Sequence, residues 1–155
     1  MSAAIEELYS LLVPLANERL IVPRACVAEV VRYTRPTPGE SRPDWLLGDF
    51  PWSGRELPLV SFEAMLGEGV PETSGRTRII VFNAIAGLLR HRYFGLLTQG
   101  FPQLVRVNRE VLRLESSANW RDDQPVICKV RMINEYPLIP DLEQIESRIR
   151  DAELN

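Results

Sequence analysis

Histidine, cysteine and lysine are nearly absent from this chain, and each scarcity closes off a class of function. His91 is the single histidine in 155 residues. It sits in Arg90-His91-Arg92 with no nucleophile motif beside it, so nucleophile–base catalysis has no support and His91 reads as a solvated hairpin tip. Cys26 and Cys128 are too few and too isolated for a disulfide framework or a zinc site; each reads as a small buried hydrophobe. Lys129 is the only lysine among 18 basic residues, and the arginines that make up the rest reflect compositional bias rather than chosen guanidinium sites. An excess of positive charge is also missing. The net charge is −3, which offers no general attraction to nucleic acid or to an anionic membrane. No apolar run approaches the ~20 residues of a membrane span. The N-terminus carries Glu6 and Glu7 where a signal peptide carries bases, so a cytoplasmic protein without direct membrane insertion is expected. No glycine-rich loop joins a strand to a helix, and the lone pair Asp122-Asp123 is not a calcium loop. The expectation is a protein that is no enzyme, with no catalytic residues, no cofactor and no metal.

What is present points to β structure. Hydrophobic residues make up 45% of the chain, enough for a packed core, while 12 prolines and 9 glycines divide it into short pieces. Apolar runs of five to seven residues recur between turn signals, the spacing of short-stranded barrels. Residues 9–15 read as a strand, turned by Ala16-Asn17-Glu18 and returning over 19–23. Residues 26–33 alternate, which places Cys26, Ala28 and Val30 on one face and Val27, Glu29 and Val31 on the other. Residues 34–43 form an extended connector. The most informative stretch is a hairpin: Trp45-Leu46-Leu47-Gly48 through Phe50-Pro51-Trp52, a tight Ser53-Gly54 turn, then Leu57-Pro58-Leu59-Val60. Gly54 supplies a positive φ, and Pro58 argues for an edge strand or a bulge. A helical turn follows over 62–66. Val27, Val31, Leu47, Phe50 and Trp52 are candidates for apolar patches that partners cover.

The polar stretch 67–75 is the expected boundary between two subdomains, 9–66 and 76–145, of one domain spanning 1–155. Beyond it, strands are expected over 77–82, 93–98, 126–133 and 136–139, with 101–107 less regular and 115–125 loop-like. A C-terminal helix over 141–150 is capped by Asp141, with Gln144 at the reciprocal capping position and Leu142, Ile145 and Ile149 on one stripe. Both halves end in a hairpin followed by a helix start, Leu59-Val60-Ser61-Phe62-Glu63 and Leu138-Ile139-Pro140-Asp141-Leu142-Glu143, so two barrels of similar plan are expected.

These residues resemble the CheW-like coupling proteins of bacterial chemosensory arrays. Residues 27–33 look like the family's V-x-E-I strand; Pro43, Trp45-Leu46-Leu47-Gly48 and the hairpin from Gly54 to Val60 follow its glycine–proline pattern; Ile79-Ile80-Val81 and Gly95-Leu96-Leu97 resemble its paired core strands. The resemblance implies a mostly β fold of two intertwined five-stranded, SH3-like barrels with short helices. It implies a non-catalytic adaptor between a methyl-accepting chemoreceptor and a CheA-type histidine kinase, recruited to membrane-associated receptor arrays. By position, Val27, Glu29 and Val30 match the family's kinase-facing strand, and Phe50, Trp52, Ser53 and Gly54 its receptor- or partner-facing segment. The chain departs from the pattern at several points: Pro51-Trp52-Ser53-Gly54 replaces N-L-R-G, Ser61 and Gln99 replace aspartates, and residues 84–93 are longer than the usual hairpin. These departures suit an accessory branch such as that of type IV pilus (twitching) systems. The alternative is a free-standing β-barrel interaction scaffold outside chemotaxis.

Overall fold

The computed structural model describes residues 8–108, 110–115 and 119–154. Part of the expected loop over 115–125 therefore lies outside the described residues. Among these residues eleven strands and two α-helices follow in order: β1 (Leu8–Pro14), β2 (Arg19–Pro23), β3 (Val27–Arg32), β4 (Leu46–Trp52), β5 (Arg55–Val60), α1 (Phe62–Met65), β6 (Arg78–Asn83), β7 (Tyr93–Thr98), β8 (Gln103–Val107), β9 (Arg113–Leu114), β10 (Val126–Arg131), β11 (Leu138–Pro140) and α2 (Leu142–Glu153). They form two curled sheets, ordered β8-β1-β2-β11-β10-β9 and β3-β6-β7-β5-β4. The chain is mostly β and ends in a helix, as expected, with the two SH3-like barrels intertwined.

The intertwining corrects the expected boundary. Strands β5 and β7 flank residues 67–75 yet pair directly in parallel, Leu59 with Gly95 and Val60 with Leu96. The six-stranded sheet takes β1 and β2 from the first part of the chain and β8 to β11 from its last part, while the middle of the chain makes the five-stranded sheet. The repeated plan is nonetheless real. In each sheet a hairpin's second strand, β5 or β11, runs parallel to a neighbour and passes straight into a capped helix. Ser61 Oγ accepts from Ala64 N at 3.2 Å and Asp141 Oδ1 from Gln144 N at 3.0 Å. Gln144 does not complete the reciprocal cap, because its side chain donates to the Asp122 carbonyl at 2.8 Å instead. The apolar stripe of α2 is as expected: Leu142, Ile145 and Ile149 are buried.

Burial divides the core in three. Phe50, Leu57, Leu59, Ile79 and Val81 fill the five-stranded curl. Leu12, Ile21, Val107 and Val130 fill the six-stranded one. The largest cluster lies between the sheets and draws on both helices, with Leu20, Phe62, Ile80, Phe94 and Ile145 among its members. Strand β6 is buried on both faces, Ile79 and Val81 toward the barrel interior and Ile80 and Phe82 toward the inter-sheet core. That explains its unbroken apolar run. Two buried carboxylates tie distant loops to the helices. Glu63 of α1, 2% exposed, accepts the Ala16 amide at 3.0 Å. Glu146 of α2 accepts the amides of Ala86 at 3.0 Å and Leu88 at 3.4 Å.

Pro58 sits in β5, an interior strand between β7 and β4, rather than at an edge. It is accommodated because the parallel ladder to β7 begins only at Leu59. Gly48 has a second constraint. The connector after β3 crosses β4 there, with Thr37 and Asp49 exchanging backbone hydrogen bonds of 2.8 and 3.0 Å. A side chain on Gly48 would collide with the Thr37 carbonyl, and φ is +135°.

Candidate partner-binding site at the barrel mouth

The sequence-predicted residues separate into two groups. Glu29, Trp52, Ser53 and Gly54 gather at the open end of the five-stranded barrel; Phe50 belongs to its interior, and Val27 and Val30 pack against the inter-sheet core.

The gathering begins with the β4–β5 hairpin. Trp52 pairs with Arg55, so Ser53-Gly54 is a two-residue turn, and both central residues have positive φ, +49° and +72°. This is the primed type of turn, whose twist matches that of the flanking strands. It carries Trp52 over the barrel mouth, where the indole is half-buried against the interior cluster. Its Nε1–H donates to Glu29 Oε1 at 3.0 Å. Strands β3 and β4 are the two edges of the sheet, so this side-chain bond bridges the barrel's seam. Tyr93 of β7 completes the mouth, its ring centroid 4.8 Å from that of Trp52 at 56°, a tilted geometry favourable to aromatic pairs. The Arg55 guanidinium lies over the other ring, 5.2 Å from the Tyr93 centroid. The expected kinase-facing and partner-facing positions, Glu29 and Trp52, thus form one constellation. Sequence reasoning missed Arg55 and Tyr93. Arg55 was findable as the residue opposite Trp52 across a two-residue turn; Tyr93 had no local signal, because β7 reaches the mouth only through sheet pairing.

Phe50 is not a surface residue. It is 1% exposed and points into the barrel, where Gly95, lacking a side chain, leaves room for its ring. Val27 and Val30 also differ from expectation. They do not lie on opposite faces, and Val27 does not share an outward face with Glu29. A bulge between Val27 and Glu29 resets the alternation: Val27 pairs with Phe82 and Val30 with Ile80, so both turn toward the inter-sheet core, while Glu29 and Val31 take the barrel side opposite Val81 and Ile79. Both valines are half-buried. Of the remaining patch candidates, Val31 and Leu47 are half-buried against the barrel interior.

His91 is half-buried rather than at a solvated tip. With Asp49, Glu56, Tyr93 and Glu153 it lines a pocket of about 260 Å³ on the flank of the mouth. Burial, joined by the nearby Asp49 carboxylate, pushes the Glu153 carboxyl up; Arg42 and His91 oppose the shift. Cys26 and Cys128 are free, half-buried thiols raised by burial, as befits packing residues. Among the described residues, no helix is long and apolar enough to cross a membrane.

The model of the CheW-like domain family matches residues 10–148, which takes in both sheets and most of α2. No curated protein matches the chain by sequence. The chain is similar in structure to the scaffolding protein TtCheW of Thermoanaerobacter tengcongensis, with a TM-score of 0.72 at 16% identity over 90% of this chain and 88% of that one. At that identity the likeness speaks for the fold, and the family match across both barrels speaks for kinship: this chain belongs to the CheW-like domain family.

Proposed function

We propose that this protein is a non-catalytic adaptor that couples chemoreceptors to a CheA-type histidine kinase at cytoplasmic receptor arrays. Members of the CheW-like family act in general as scaffolds between these two components. The observation that carries the reading is the family match over residues 10–148, which leaves neither barrel outside it. The mouth of the five-stranded barrel, with Glu29, Trp52, Ser53 and Gly54 accessible on one rim, is the contact region we assign to partners. Val27 and Val30 contribute from behind by holding β3 in place. The turn has Ser53 where the family has arginine, and this favours an accessory adaptor, such as one serving type IV pilus motility, over a main coupling protein.

The test is reconstitution. The purified protein is titrated against the regulatory domain of a CheA-type kinase and against the cytoplasmic tip of a chemoreceptor, both from the same organism. Kinase binding in the micromolar range, roughly −8 kcal/mol, is expected, with weaker binding to the receptor tip. Failure to bind the kinase domain would remove the chemosensory reading and favour a scaffold outside chemotaxis.

A further inference from the structure

The barrel mouth combines three features that suit one kind of guest. Glu29 is exposed, and its one hydrogen bond among the described residues, from Trp52 Nε1 to Oε1 at 3.0 Å, orients the carboxylate. Among the described residues Glu29 has no ion-pair partner. Beside it stand two aromatic rings, Trp52 and Tyr93, tilted at 56° with centroids 4.8 Å apart. The ring system already attracts a guanidinium, since Arg55 from the same hairpin lies 5.2 Å from the Tyr93 centroid. A carboxylate held against aromatic faces matches a planar cation that can both stack and donate paired hydrogen bonds. That is arginine rather than lysine, whose compact ammonium stacks poorly.

We propose that this mouth is a cup for an arginine side chain presented by a protein partner, with Glu29 as the charged acceptor and Trp52 as the residue that positions it. The guanidinium donates to the free oxygen of Glu29 and covers the exposed part of the indole. Trp52 acts through its N–H as well as its ring, so phenylalanine at this position keeps the apolar plug but lets the carboxylate swing away. The partner's identity rests on the adaptor reading; the cup's chemistry does not.

The experiment follows the indole N–H resonances of Trp45, Trp52 and Trp120 in ¹⁵N-labelled protein, with Trp52→Phe identifying the Trp52 signal. N-acetyl-arginine methylamide is titrated in, and the isosteric but uncharged citrulline compound serves as control. The expected result is a saturable shift of the Trp52 signal with the arginine compound, none with citrulline, and loss of the response in Glu29→Gln. An equal response to citrulline, a response that survives Glu29→Gln, or no response at Trp52 overturns the cup. The citrulline comparison stands even if Glu29→Gln folds poorly. Measured alongside binding of the kinase regulatory domain, the two ideas separate. Kinase binding without an arginine response removes the cup and leaves the adaptor; an arginine response without kinase binding does the reverse.

Discussion

Ser53 holds a backbone conformation, φ +49°, that most L-residues avoid at a cost of about 1–2 kcal/mol. Asparagine tolerates that region better and is favoured with glycine in this turn type. Ser53→Asn is therefore expected to stabilise the protein by part of that roughly 1–2 kcal/mol, read as a higher urea midpoint with an unchanged slope. Restoring the family's arginine at this position introduces charge but does not relieve the backbone. Glu63 is a buried carboxylate of α1. Burial is the main cause that pushes its carboxyl above the ordinary value, and one carboxylate oxygen has no partner. A carboxyl whose folded pKa lies above its unfolded one contributes stability that is fully present below the unfolded value, near 4.5, and is lost as pH rises through the folded value. Glu63→Gln keeps an acceptor for the Ala16 amide and does not titrate. Its melting temperature should exceed that of the parent at pH 8, with the difference shrinking toward pH 4. A constant difference across that range would show that Glu63 is not the titrating group.

Period-2 alternation over residues 26–33 is a sound signal for a strand, and a strand stands there from Val27 to Arg32. The facing was unreadable because one bulge between Val27 and Glu29 inverts half the pattern, and bulges are set by the partner strand. The consequence is testable. Val27→Glu now places a charge against the inter-sheet core and should lower stability by about 1–3 kcal/mol, seen by urea denaturation, instead of weakening partner binding with the fold intact. The hairpin shows the opposite case. Its turn, the positive φ of Gly54 and the helix cap that follows are local matters, legible from a dozen residues. Helix α2 was likewise legible from its cap and its stripe of Leu142, Ile145 and Ile149, although it runs to Glu153 rather than 150.

For the molecule as a whole, the intertwined sheets make the two barrels inseparable. The cluster between them contains residues from β1, β2, β6, β7 and both helices, so neither barrel retains its packing alone. Unfolding is expected as one cooperative transition, with fluorescence and far-ultraviolet dichroism superimposing. A chain cut within residues 67–75 gives fragments that do not fold separately and regain structure only when mixed, since the cut separates β5 from β7. Two independent transitions, or a fragment that folds by itself, would contradict the shared core. The β class, the short strands, the hairpin turn, the capped helix and the repeated plan are legible along the chain, because each depends on periodicity, φ preference or capping within a few neighbouring residues. The chain also carries the family kinship, through the order and spacing of those pieces. Folding sets which strands share a sheet, that Phe50 is core, which way Val27 faces, and that Glu29 and Trp52 meet. All four depend on pairing between residues tens of positions apart, and local pattern carries no record of that pairing.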